Sequence, residues 1–190
     1  NVGSHLDVVG NITSGSNLTV NGNLYAPGCI VQTFTSMVYD IVTYPDSNSL
    51  EISPLNIIIT PKFTNSKIKL EWMINFEAHG NTVFVIYRKI GSGSVTKIGY
   101  NNTITDNVWN GVATVPWDND QNTHTPSNIF INWIDTPNTI EEITYYIYHQ
   151  NSNNQGTRIF NLNRTYDNSN TGTYAYERMV SSKSATEIAQ

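Results

Sequence analysis

The chain has 190 residues, enough for one full-sized domain with its own core and a short appendage, but not for two large domains. Its 10 Lys and Arg against 15 Asp and Glu give a formal net charge of -5 with no basic cluster, which argues against nucleic acid and against an anionic membrane surface as partners. Asn, Thr, Ile, Ser and Tyr dominate while helix-building residues are scarce, a balance that suits pleated, half-buried surfaces joined by turns and predicts an all-β class.

No apolar run approaches the roughly 20 residues that span a bilayer, and the polar start lacks the pattern of a signal peptide. The chain therefore reads as soluble, or as a fragment of something longer. Its first informative feature is a repeat: Leu6-Asp7-Val8-Val9-Gly10-Asn11-Ile12 recurs as Leu18-Thr19-Val20-Asn21-Gly22-Asn23-Leu24, offset by 12 residues. Each copy offers two alternating apolar residues, a Gly-Asn turn and one more apolar residue, which is a strand with almost nothing to bury against. Such units become stable only when neighbours stack or chains wrap together. Residues 1–26 are thus expected to form a short repetitive β shaft, with Leu6, Val8, Ile12, Leu18, Val20 and Leu24 at a homotrimer interface.

Ala26-Pro27-Gly28 punctuates the chain and sets the boundary of a second region, 27–190. Cys29, the only cysteine, permits neither an intrachain disulfide nor a cysteine zinc site, and is expected to be a small buried hydrophobe. Beyond it the apolar period is two. Ile68, Leu70, Trp72, Ile74 and Phe76 alternate with Lys67, Lys69, Glu71, Met73 and Asn75, the clearest strand in the chain. Further strands are expected over 30–38, 55–60, 82–90, 129–134, 142–149, 157–163 and 173–180, separated by Gly, Pro, Asn and Ser clusters. The segment 178–190 is the nearest to a helix. Many short strands joined by turn chemistry predict a jelly-roll-like β-sandwich.

Several pieces of this region resemble a domain found at the C-terminal ends of phage and large-virus fibre-like proteins. They are Pro27-Gly28 leading into Ile30-Val31-Gln32, Ile59-Thr60-Pro61 with Asn65-Ser66-Lys67-Ile68, Ile134-Asp135-Thr136-Pro137-Asn138-Thr139 with Thr144-Tyr145, and the terminal Thr186-Glu187-Ile188-Ala189. The resemblance implies a receptor-binding fibre tip that follows shaft-like repeats, and brings no catalytic residue with it. Read from the residues themselves, Thr60-Pro61 and Thr136-Pro137 end strands because Pro lacks the ladder donor, and Asp135 with Asn138 is suited to satisfying turn backbone groups. These pieces read as scaffold.

Candidate chemistry is thin. Gly91-Ser92-Gly93-Ser94 is not a nucleophile elbow and reads as a hairpin turn. Asp118-Asn119-Asp120-Gln121-Asn122 starts like a calcium loop but has Thr123 and Ile129 where that loop needs Gly and Glu. His5, His79, His124 and His149 lack metal-ligand spacing; a trimer is able to place one histidine from each chain on its axis, with His5 and His79 the candidates, but a surface or core role is expected for both. Glu141 and Glu142 would point to opposite faces of a strand, which disfavours a carboxylate pair. No cofactor, metal or catalytic residue is expected. The sequons at Asn11, Asn17, Asn101 and Asn163 follow from an Asn-rich composition.

Glycan recognition needs exposed aromatic rings for sugar faces and amides or carboxylates for hydroxyls, on loops held by a rigid frame. The segment 100–128 supplies both, and Tyr100, Asn102, Trp109, Trp117, Asp118 and Asp120 are the candidate receptor contacts. Composition alone leaves Trp109 and Trp117 as well suited to the core or the trimer interface as to receptor contact. The resulting expectation is a non-enzymatic, virion-exposed fibre tip, trimeric, joined to an upstream fibre or virion protein and binding a host-surface glycan or glycoprotein. The alternatives are a purely structural capsid or fibre decoration and a polysaccharide depolymerase.

Overall fold

A computed structural model describes residue 15 and residues 26–45, 49–78, 80–101, 103, 109–115, 126–151, 159–165 and 177–190. The described chain is all-β. Its strands are β1 (Ile30–Val38), β2 (Val42–Tyr44), β3 (Ser49–Glu51), β4 (Ile57–Ile59), β5 (Lys67–Ala78), β6 (Thr82–Ile90), β7 (Thr96–Gly99), β8 (Ala113–Val115), β9 (Ser127–Asp135), β10 (Ile143–Asn151), β11 (Phe160–Leu162) and β12 (Ser181–Ile188), with one 3-10 turn at Ser53–Leu55.

These strands form two six-stranded antiparallel sheets. In the first, β5 carries β9 on one edge and β12 followed by β11 on the other, while β1 pairs β12 and β2 pairs β11. In the second, β10 carries β4 and β3 on one edge and β6 on the other, while β7 and β8 share the far edge of β6. Collinear pairs such as β1 with β2 and β11 with β12 act as single interrupted strands, so each sheet is four strands wide. Taken as eight lines in chain order, the first sheet runs 1-8-3-6 and the second 2-7-4-5, the connectivity of a jelly roll.

The strict alternation of β5 is what builds the core. Ile68, Leu70, Trp72, Ile74 and Phe76 are all buried against the second sheet, whose inward residues are Phe84, Ile86, Ile143, Tyr145 and Ile147. Each such side chain contributes roughly 1.5–3 kcal/mol of hydrophobic burial. Trp72 also donates its indole N–H to the Leu55 carbonyl at 2.9 Å, and Phe76, Phe84 and Phe160 pack ring on ring across the two sheets at 5.2–6.1 Å.

Asn163 joins β11 to β12. It adopts a left-handed conformation (φ 57°), its amide donates to the Val38 and Asp40 carbonyls, and its side-chain oxygen accepts from Ser181. Fully buried by these bonds, Asn163 is not an available sequon in the folded chain.

Ile30 and Ile188 lie side by side at one end of the sandwich, where the preceding segment enters through the Ala26–Gly28 turn. We call this end the base. Gly28 N–H donates to the Ala189 carbonyl and Ala189 N–H to the Cys29 carbonyl, so entry and terminus are tied together. Nearby, fully buried Glu187 accepts from Gln32 Nε2 at 2.6 Å, Ser66 Oγ at 2.7 Å and the backbone N–H groups of Lys62 and Phe63. Asp135, also at the base, pairs with Arg88 at 2.8 and 2.9 Å and accepts from the Tyr145 hydroxyl at 2.7 Å. All the pieces that carry the fibre-protein resemblance therefore meet at the base, either in the strand ends or in these two buried carboxylate clusters.

Some expectations change. The tail is strand β12 over 181–188, not a helix, and the strand expected over 173–180 is reduced in its described part to an isolated Arg164–Arg178 bridge. Cys29 is only partly buried, because it sits in the entry turn and not on an inward row. Asp135 serves a core ion pair and not turn capping, because its side chain points inward, where Arg88 and Tyr145 meet it. Glu141 and Glu142 are exposed residues of the β9–β10 connection, before the strand begins. Gly91, at φ 48°, does turn the β6–β7 hairpin as expected. The residues expected at the trimer seam, Leu6, Val8, Ile12, Leu18, Val20 and Leu24, lie outside the described residues.

Candidate functional site: the outer face of the second sheet

The segment 100–128 is not one loop. Strand β8 divides it, and its last two residues begin β9. The part between β7 and β8 leaves the sheet at Gly99 and re-enters at Val112, whose N–H donates to the Phe84 carbonyl at 2.8 Å. Gly99 and Gly111 are required at these points: a Cβ on Gly99 would press on Ile86 and Val112, and one on Gly111 on the Phe84 carbonyl. The strand ends on either side of the part between β8 and β9, Val115 and Ser127, lie at the end of the sandwich opposite the base.

Trp109 stands on the first part and is 42% exposed, so it is not a core residue of this chain. The indole of Trp72 fills the core instead. Trp109 lines an open depression of about 310 Å³ with Val83, Asn110, Gly111 and Thr114. Tyr100 is half-buried, and Lys97 Nζ lies 4.9 Å from its ring centroid while donating to the Asn110 carbonyl at 2.7 Å. Asn110 closes the excursion by exchanging two side-chain hydrogen bonds with the Asn101 backbone, at 2.9 and 2.5 Å. Burial lowers the pKa of Lys97 from its ordinary value. Asn102, Trp117, Asp118 and Asp120 lie outside the described residues, as do His5, His79 and His124.

The structure adds aromatic residues that sequence reasoning missed. Along β6, Phe84, Ile86 and Arg88 face the core, so Val83, Val85 and Tyr87 face outward. The register sets Tyr148 beside Val85, Tyr146 beside Tyr87, and Tyr87 beside Lys97. The Tyr87 and Tyr148 rings pack at 4.6 Å, and the Tyr148 hydroxyl lies 3.4 Å from the Glu51 carboxylate. Burial, followed for Tyr148 by the charge of Glu51, raises both phenol pKa values, which keeps the hydroxyls protonated. Trp109, Tyr100, Tyr87, Tyr146 and Tyr148, with Lys97, Asn110, Glu51 and Gln150, thus occupy one side of the molecule. The signal was present in Tyr145-Tyr146-Ile147-Tyr148, where period two sends Tyr145 inward and the other two tyrosines outward.

This surface offers flat rings, amides, an ammonium and a carboxylate on a rigid sheet, the groups that recognise sugar faces and hydroxyls. Among the described residues no group of three His, Cys, Asp or Glu is placed to hold a metal ion, and no helix is long and apolar enough to cross a membrane.

No protein-family model and no curated protein matches the sequence. Solved structures similar to it include that of the infectious bursal disease virus Gt strain, with 16% identity over 94% of this chain and 42% of that chain, at a TM-score of 0.38. The VP2 subviral particle of the same virus matches with 10% identity over 82% and 40%, at 0.37, and its Gx strain with 12% identity over 83% and 40%, at 0.35. The chain spans about 40% of the length of these proteins.

Proposed function

We propose that this chain is the distal domain of a viral fibre, exposed on the virion and trimeric, that binds a host-surface glycan without catalysis. The observation that carries the reading is Trp109, held outside the core beside a bank of half-exposed tyrosines on the outer face of the second sheet. Buried surface alone gives no reason to place an indole there, whereas a pyranose ring stacks on it, and the sugars linked to that ring extend across the face to Asn110, Lys97, Gln150 and Glu51. The fibre assignment is supported by the meeting of the fibre-like sequence pieces at the base, next to the Ala26–Gly28 turn, which leaves the opposite end and the sheet faces free of them. Three copies of a shallow site on one axis raise avidity by roughly 10²–10⁴.

A purely structural role is the second reading, favoured by apolar side chains exposed on the first sheet. Binding to a panel of host-surface polysaccharides separates the two. Salt-tolerant, saturable binding of one sugar class by the intact chain is the result expected, and no binding to any of them, to host cells or to their isolated envelope would refute it. Release of reducing ends would show a depolymerase instead.

A further inference from the structure

The edges of the two sheets are treated differently. An unpaired strand edge is a template for another chain, and monomeric proteins blunt theirs with short strands, charges, Pro or a covering segment. The second sheet follows this practice. One of its edges is β3 and β4, three residues each with Pro54 between them, and the other is β7 and β8, parted by the excursion that carries Trp109.

Among the described residues the first sheet does not. Its edges are β9 and β1, nine residues each without Pro, Lys, Arg or Glu; β1 has one bulge, between Ile30 and Gln32 at the base, and its edge is continued by the three-residue β2. The only charge, Asp135, is taken up by Arg88. Both edges expose apolar side chains, including Phe34, Met37 and, just past β1, Tyr39 at 70%, and on β9 Phe130 at 61% and Ile134 at 57%. Met37 and Phe130 end one row that crosses the outer face through Ser182 and Met73.

Two different unguarded edges on one sheet suit a heterologous contact, which forms a ring where its rotation closes, whereas an isologous dimer needs only one. Rotation about an axis along the strands preserves their direction. Because β1 rises from the base and β9 descends to it, β1 of one copy meets β9 of the next antiparallel, the more favourable orientation. The neutrality of both edges means that the net charge of -5 does not oppose this approach locally. The preceding segment enters immediately before β1, so gathering those segments gathers the β1 edges with them.

We propose that the edges of the first sheet are occupied by second copies of this chain, β1 of one against β9 of the next, in a closed three-membered ring. The inference rests on the trimeric reading above and adds the surface and its direction. It leaves the aromatic face of the second sheet pointing away from the ring.

The test uses the full chain with Cys29→Ser, which removes the native thiol, and exposed positions of one row, Thr35→Cys on β1 and Asn132→Cys on β9. Treatment with a short bismaleimide should give a covalent trimer on a denaturing gel when both cysteines are present, and only monomer with either alone. A covalent dimer from one single-cysteine variant would show an isologous contact and overturn the proposal. So would an unlimited ladder, which marks an open filament. If light scattering gives three times 21.3 kDa but the pair does not cross-link, this interface falls and the trimer stands. A monomer at micromolar concentration removes both.

Discussion

Replacing His149 by Gln should flatten the acid side of the stability profile. His149 is fully buried, its ring lies 4.8 Å from that of Phe160 and 6.4 Å from that of Phe84, and Nε2 is 3.2 Å from the Thr82 hydroxyl. Nδ1 has no partner among the described residues. Desolvation lowers its pKa from 6.5 to about 3. The folded chain therefore holds a neutral ring where the unfolded chain takes up a proton, so the contribution is intact above pH 6.5 and is lost as pH falls from there towards 3. At pH 5 the linkage relation gives a loss of about 2 kcal/mol, rising to about 5 kcal/mol below pH 3. Gln keeps a hydrogen-bonding group towards Thr82 and cannot titrate. Urea unfolding at pH 8 and pH 5, at fixed salt and protein concentration, should show the wild type losing about 2 kcal/mol more than His149→Gln. Parallel losses in the two proteins would refute the argument, since other titrating groups are common to both.

Arg88→Met should cost about 3–5 kcal/mol, because it removes a guanidinium that makes two hydrogen bonds to Asp135 and leaves that buried carboxylate without its counter-charge. Denaturant midpoints check this, and a loss under 1 kcal/mol would mean that water reaches Asp135 freely. Asn163→Gly and Asn163→Ala should both destabilise through the loss of three side-chain bonds, with Gly the milder by about 1 kcal/mol because it accepts the left-handed backbone. Equal losses would show that the backbone conformation carries no cost there. Gly111→Ala should cost about 1–3 kcal/mol, as its Cβ meets the Phe84 carbonyl where the excursion rejoins the sheet. Calorimetry should place its Tm below that of Ser92→Ala, a control on an exposed turn.

The sequence disclosed what period two can disclose. The alternation of β5 identified its inward residues one by one, and β1 and β6 run over the spans expected for them. Strands β2, β3, β7 and β8 have three or four residues and offer too little pattern to be seen. The tail was illegible for a different reason. Its inward row includes Ser181, Ala185 and Glu187, and a buried glutamate makes sense only once Gln32, Ser66 and two backbone N–H groups are brought to it from distant segments. Asp135 was misread on the same account, since Arg88 and Tyr145 are remote in sequence. For the candidate site, aromatic and amide richness marked the stretch 100–128, but Trp72 and Trp109 look alike until burial tells core from surface. Tyr146 and Tyr148 were visible as alternating residues, while the face that carries them is fixed only by the packing of β6 and β10 on the first sheet.

The central claim is that the outer aromatic face of the second sheet holds the receptor. Its most direct test is equilibrium binding of the intact chain to host cells, or to the polysaccharide identified on the panel, set against a Trp109→Ala, Tyr148→Ala variant. Each ring lost should cost about 1–2 kcal/mol per site, so the double variant should bind at least tenfold more weakly, while its unfolding midpoint shows a folded protein of unchanged mass. Undiminished binding by the folded variant would contradict the claim and place the receptor elsewhere on the molecule.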